Sequence, residues 1–176
     1  MEFSEIQKER IYLTGFMGTG KTTVGKILSQ MLGYRFIDTD SLIEKESGMT
    51  INEIFKNYDE TYFRELEIKV LSSTFNLKKA IISTGGGLPV YNDSMKLINV
   101  NGISVCLTAS PDIILSRLEY DDKILRPLLQ GENREEKLNI LMQKRVYYYI
   151  QSHIIVDTSA MNPQEVAEII SNKVGC

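Results

Sequence analysis

The chain reads as an α/β protein, a five-stranded parallel sheet flanked by helices on both faces. Two observations predict this fold class. Short apolar runs rich in Ile, Val and Leu alternate with longer segments of helical period, the pattern left by parallel strands joined through covering helices. The first of these runs then passes through a glycine-rich turn directly into a helical stretch, which is the order of a strand–turn–helix unit.

In chain order, strands are expected over residues 10–14, 35–38, 80–83, 103–107 and 154–157. The helices between them carry readable boundaries. One follows the glycine turn over 23–31 and stops at Gly33, and a short one covers 41–47 and stops at Gly48. Thr50 with Glu53 makes a capping box, while Ser110-Pro111 and Asn162-Pro163 each place a cap before a first-turn proline. Gly175 is a further C-terminal stop. His153, the only histidine, opens the last strand and makes a His-based triad or zinc site unpromising. Cys106 lies inside an apolar run, far in sequence from Cys176 and without CxxC spacing, so it reads as a buried, reduced core thiol. Residues 120–136 break the rhythm with charges, Pro127, Gly131 and no sustained period. They read as a long mobile loop whose arginines make it a candidate lid.

Bulk properties narrow the partners. A length of 176 residues suits one domain, 1–176, and the composition of 43% hydrophobic and 24% charged residues supplies a core and excludes disorder. A net charge of −3 gives no broad basic field, so no nucleic-acid partner is expected. Apolar runs fall short of the roughly 20 residues that span a bilayer, and the charged start MEFSEIQKER does not read as a signal peptide. A cytoplasmic protein with no membrane partner is expected.

The turn Gly15-Phe16-Met17-Gly18-Thr19-Gly20-Lys21-Thr22 fits G-x-x-x-x-G-K-[ST], between a predicted strand and a predicted helix. Its glycines let backbone N–H groups turn inward around an anion, and the helix behind it adds the positive end of its dipole. Gly18, Thr19, Gly20, Lys21, Thr22 and Thr23 are therefore the expected contacts of a nucleotide, ATP or GTP. Lys21 would reach the β- and γ-phosphates, and the Thr22 hydroxyl is a natural ligand for nucleotide-bound Mg²⁺. This motif fixes a nucleotide, not the group that receives a phosphate.

Asp38 and Asp40 flank the end of the second strand, two residues apart, which would point both carboxylates to one side and toward the phosphate site. One could hold a metal through water and the other grip an acceptor hydroxyl, although Asp40 could instead cap the helix that follows. Glu67 lies one turn beyond Arg64 and can orient its guanidinium, in what would by itself be a weak surface ion pair. Gly85-Gly86-Gly87 lets backbone approach a ligand without side chains in the way.

Taken in order, GFMGTGKT, Asp38-Thr39-Asp40, Phe63-Arg64, Gly85-Gly86-Gly87, Arg126-Pro127-Leu128-Leu129 and Lys144-Arg145 resemble the shikimate kinase family over nearly the whole chain. The resemblance implies a P-loop NTPase fold of the nucleoside monophosphate kinase type with a mobile lid. It implies transfer of the ATP γ-phosphate to shikimate by a monomer, with Mg²⁺ as cofactor. Asp40 would bind the ring hydroxyls, Arg64, Arg145 and the Gly86 N–H would hold the substrate, and Lys21, Asp40 and Arg126 would form the catalytic set. Ile51, Phe55, Phe63, Pro127 and Leu128 match the family's apolar pocket walls, residues 40–67 its substrate-binding part, and 119–133 its lid. Arg117 would stack on adenine, with Arg126 swinging onto the phosphates. Residues 157–163 match the family's adenine-side loop. The third strand ends in Ser83 without an aspartate, a feature the family shares, so metal binding falls to Thr22 and, through water, Asp38.

Two departures stand out. Asp59-Glu60 replaces the usual Gly-Glu, and Val146-Tyr147-Tyr148-Tyr149 lacks the proline often found after the arginine, so the helix is expected to continue. Gluconate or nucleoside monophosphate kinases share the phosphate loop and lid but are disfavoured by the Asp-Thr-Asp, Phe-Arg and glycine motifs. A nucleotide-binding module without catalysis is disfavoured by the retention of Lys21, Asp40 and the three arginines.

Overall fold

A computed structural model describes residues 3–119 and 133–175. The expected lid residues 120–132, with Arg126, Pro127 and Leu128, lie outside the described residues, as does Cys176. A short helix α1 (Glu5–Lys8) leads into β1 (Arg10–Gly15), α2 (Lys21–Leu32) and β2 (Arg35–Asp38). Helices α3 (Thr39–Ser47), α4 (Ile51–Asn57) and α5 (Glu60–Ser73) precede β3 (Ala80–Ser83). A 3-10 turn (Leu88–Val90) is followed by α6 (Ser94–Asn101), β4 (Ile103–Thr108), α7 (Pro111–Glu119), α8 (Arg134–Tyr149), β5 (Ile154–Asp157) and α9 (Pro163–Val174).

The five strands form one parallel sheet in the order β2-β3-β1-β4-β5. Side-chain alternation sorts them onto two covered faces. Ile11, Leu13, Ile81, Val105 and Val156 pack with Val24 and Leu28 of α2 and with Val166, Ala167 and Ile170 of α9. On the other face Tyr12, Ala80 and Ile82 meet Leu71 of α5 and Met95 and Ile98 of α6. A separate cluster of Ile43, Ile54, Phe63 and Val70 binds α3, α4 and α5 into one unit beside the sheet. The central β1 is where the chain runs toward β2 on one side and crosses from β3 to β4 on the other. Its carboxyl end is thus the place where an open parallel sheet leaves a crevice.

All five expected strands are present, with β1 and β4 each one residue longer. The Thr50–Glu53 capping box forms, Asn162 caps α9 with Pro163 in its first turn, α7 begins at Pro111, and Gly33, Gly48 and Gly175 close their helices in the left-handed conformation. Cys106 is buried, and burial pushes its thiol up to about 11. His153 sits just before β5, its Nδ1 3.1 Å from the Ser104 backbone N–H, and burial lowers its pKa.

Two expectations fail. Residues 134–136 are not loop but the start of α8, where Glu135 and Glu136 meet the positive end of the helix dipole. The strand argument for Asp38 and Asp40 also fails, because β2 ends at Asp38 and Asp40 lies in the first turn of α3. The helix cap is Asp38 and not Asp40: its Oδ1 accepts the N–H groups of Asp40 at 3.1 Å and Ser41 at 3.3 Å.

Gly15 closes β1 at φ +126°, and a Cβ there would strike the carbonyl oxygen of Leu107 on β4. Both backbone strain and overlap penalise any side chain. Gly15→Ala is expected to cost about 2–4 kcal/mol, read in a thermal melt as a Tm lowered by roughly 5–15 °C.

Candidate active site

The phosphate loop builds an anion cradle from backbone alone. Gly20 caps α2 at φ +92° and supplies no side chain, which leaves the first-turn N–H groups of α2, those of Lys21, Thr22 and Thr23, for an anion. Thr19 is buried and its hydroxyl donates to the Phe16 carbonyl at 2.8 Å, fixing the loop from inside. Lys21 lies over the loop, Nζ donating to Gly15 O at 2.9 Å and Phe16 O at 2.8 Å. The Thr22 hydroxyl donates to Asp38 Oδ2 at 3.0 Å, so the carboxylate that caps α3 with one oxygen faces α2 with the other. A hydroxyl and a carboxylate side by side are the hard oxygen donors that suit Mg²⁺, so these residues fit the ion the resemblance implies. At the far end of the loop, Arg117 donates to Gly18 O at 3.3 Å, to Thr158 Oγ1 at 2.9 Å and to Thr158 O at 2.7 Å.

The second half of the site gathers around Gly85-Gly86-Gly87. Arg64 on α5 donates through Nη1 to Glu67 Oε2 at 2.5 Å and through Nε and Nη2 to Glu60 Oε1 at 3.2 and 2.7 Å. The expected surface pair is therefore two different interactions. Glu60 is exposed and contributes under about 1 kcal/mol, whereas Glu67 is only 1% exposed and Arg64 11%. Burial pushes the Glu67 carboxyl up to about 7, against the pull of Arg64 and Arg145 and with the push of Asp40. Arg145 on α8 is itself buried, its guanidinium 5.5 Å from the Phe16 ring centroid. Each glycine lies against one of these groups. A Cβ on Gly85 would sit 2.5 Å from Asp40 Oδ1 and 3.0 Å from Glu67 Oε1, one on Gly86 would lie 3.4 Å from Arg145 Nη1, and one on Gly87 would collide with Arg64 Nη1.

Both halves line one cleft of about 1050 Å³. It contains Gly18, Thr19, Gly20, Lys21, Thr22, Thr23, Asp38, Asp40, Arg64, Gly86, Arg117 and Arg145, with Ile51, Phe55 and Phe63 as an apolar wall. Apart from Arg126, Pro127 and Leu128, which lie outside the described residues, the fold brings together the site residues expected from sequence. Three supporting contacts are not legible in sequence, although Thr39 and Thr158 lie within motifs named above. The Thr39 hydroxyl accepts the Gly85 N–H at 2.9 Å, Thr158 anchors Arg117, and the Tyr149 hydroxyl donates to Gly86 O at 2.6 Å. Tyr149 carried a usable signal, since it is one helical turn from Arg145 and so shares its face.

The family model for shikimate kinase matches residues 17–174. The chain belongs to the shikimate kinase family. A shikimate kinase of Thermodesulfovibrio yellowstonii is 43% identical over 162 residues, 92% of each chain. The shikimate kinase of Acinetobacter baumannii, solved in complex with shikimate, superposes with a TM-score of 0.88 at 35% identity, covering 97% of this chain and 95% of that one. A gluconokinase of Sinorhizobium meliloti reaches a TM-score of 0.62 at 13% identity, a likeness of fold alone. As a shikimate kinase family member the chain is an ATP-dependent kinase with the P-loop fold. Among the described residues no helix is long and apolar enough to cross a membrane.

The buried Glu67 gives this family member a signature in stability. Its folded pKa lies above the ordinary 4.5, so the folded chain holds the proton more tightly than the unfolded one. The stability gained is complete below pH 4.5 and is lost as pH rises toward about 7. Urea denaturation of the protein and of Glu67→Gln should show the first losing ground across that window, by on the order of 2–3 kcal/mol. Parallel pH profiles would count against a raised Glu67.

Proposed function

We propose that the protein moves the γ-phosphate of ATP to the 3-hydroxyl of shikimate, giving shikimate 3-phosphate and ADP. The observation that carries this reading is the placing of the buried Arg145 and the half-buried Arg64 around a glycine turn in the same cleft as the phosphate loop. A planar guanidinium pairs with a carboxylate through two parallel bonds, and two of them at one turn suit a small acid. Asp40, against Gly85 in the same cleft, suits the acid's hydroxyls. The segment 40–67 then acts as the acceptor-binding part of a single domain.

In the reaction, Arg64, Arg145 and the Gly86 N–H hold the carboxylate end of the acceptor, while Ile51, Phe55 and Phe63 cover its ring. Asp40 accepts the proton of the attacking hydroxyl as its oxygen bonds to the γ-phosphorus and the bond to the ADP oxygen breaks in line. Lys21 and the N–H groups of residues 18–23 neutralise charge that spreads over the phosphate oxygens. Arg117 holds the adenine side. Arg126, outside the described residues, is the further cation that the resemblance brings to the phosphates. Mg²⁺, when bound, would be held by Thr22 and through water by Asp38, and would screen the phosphate charge. The protein's share is mostly positioning, and positioning alone can remove several kcal/mol from such a barrier.

A coupled ADP-release assay with ATP and Mg²⁺ compares shikimate, gluconate, AMP and no acceptor. Shikimate-dependent turnover well above the other three is expected, and turnover with another acceptor but not shikimate would overturn the reading. Within that assay Asp40→Asn should lower kcat by about 10²–10⁴-fold with little change in KM. Arg64→Lys should instead raise the KM for shikimate about tenfold or more, and an unchanged KM would remove Arg64 from the carboxylate site.

A further inference from the structure

We propose that Tyr149 is a positioning residue of the acceptor site, its hydroxyl locking the glycine turn 85–87 in the geometry that receives the acid. The inference rests on the acceptor assignment above. Three consecutive glycines have more backbone freedom than any other sequence, so a turn that must present a fixed N–H needs anchors. Neighbours within the chain fix its two ends. Thr39 takes the Gly85 N–H at 2.9 Å, and the carbonyls of Gly85 and Gly87 accept from Leu88 at 3.2 Å and Val90 at 3.1 Å. The middle carbonyl, that of Gly86, is held at 2.6 Å by Tyr149 from α8, more than sixty residues away in sequence.

The placing of that hydroxyl ties it to the substrate contacts. Arg145 and Tyr149 are four residues apart on α8 and share a face. The Arg145 charge draws the Tyr149 phenol's pKa down, against the larger effect of burial, and Arg145 Nη1 lies 3.4 Å from where a Gly86 Cβ would be. Tyr149 is 6% exposed and shares a buried cluster with Phe16 of the phosphate loop and Cys106 of β4, which holds its ring against following a moving turn. Burial also pushes the phenol up to about 12, which keeps it a proton donor at neutral pH. One rigid side chain therefore sets the spacing between Arg145, the Gly86 backbone and the phosphate loop.

A hydroxyl that only satisfied a buried carbonyl would add stability and leave substrate affinity alone. A positioning hydroxyl acts on the acceptor and not on the nucleotide. Tyr149→Phe removes one oxygen and keeps the ring, with Tyr147→Phe on the exposed side of α8 as the control. Steady-state kinetics and isothermal calorimetry are run at a temperature where circular dichroism shows each variant folded. Expected for Tyr149→Phe is a KM and a Kd for shikimate raised about tenfold, the scale of one buried hydrogen bond, with the KM for ATP unchanged and kcat close to the parent. Shikimate constants within about twofold of the parent would overturn the proposal, even if the Tm fell. So would a variant that does not fold at any assay temperature, since the hydroxyl would then be a determinant of the fold. If the parent protein itself neither binds nor turns over shikimate, the acceptor assignment fails instead.

Discussion

Close approach of backbone to charge at residues 85–87 is the constraint around which the site is organised. A Cβ at any of the three positions would fall on or against Asp40, Glu67, Arg145 or Arg64. None of these three glycines has a positive φ, so at Gly85 and Gly87 space and not conformation requires glycine, while a Cβ on Gly86 would meet Arg145 at ordinary contact distance. Because the turn carries no side chains, two carboxylates and two guanidiniums from α3, α5 and α8 can converge on it. The same turn follows β3, next to β1 in the sheet, which sets it beside the phosphate loop.

Burial then gives the converging charges their character. Glu67 has almost no exposure, and a carboxylate so placed costs several kcal/mol to desolvate unless it is paired. Its pairing with Arg64 both offsets that cost and fixes the guanidinium, while the exposed Glu60 holds the other edge loosely. An arginine fixed by a buried partner on one edge and a solvated one on the other is prepared to exchange the solvated partner for an incoming carboxylate. Lysine, a compact and strongly hydrated charge, offers no such division of edges.

The sheet is legible in the sequence because each strand is a short run centred on Ile, Val or Leu, and the phosphate loop because its spacing and flanks are local. Asp40 reaches the cleft by a route that strand alternation does not describe, because the side chain of Asp38 itself turns the chain into α3. The depth of Glu67 could not be read from its spacing to Arg64, since that spacing suits a surface pair equally well. Burial there comes from the glycine turn after β3, from Asp40 of α3 and from Arg145 of α8 gathering beside α5, contacts distant in sequence. Tyr149 is hidden for a similar reason, being one of three consecutive tyrosines of which the fold buries only this one.

The account stands on Arg64 and Arg145 reading a negative charge on the acceptor rather than its ring or hydroxyls. Calorimetric titration of the protein with shikimate and with its neutral carboxamide isolates that charge while keeping the ring and all three hydroxyls. Shikimate should bind at least about 100-fold more tightly, as expected for two charge-assisted pairs. Equal affinity for the two compounds would contradict the assignment of both arginines.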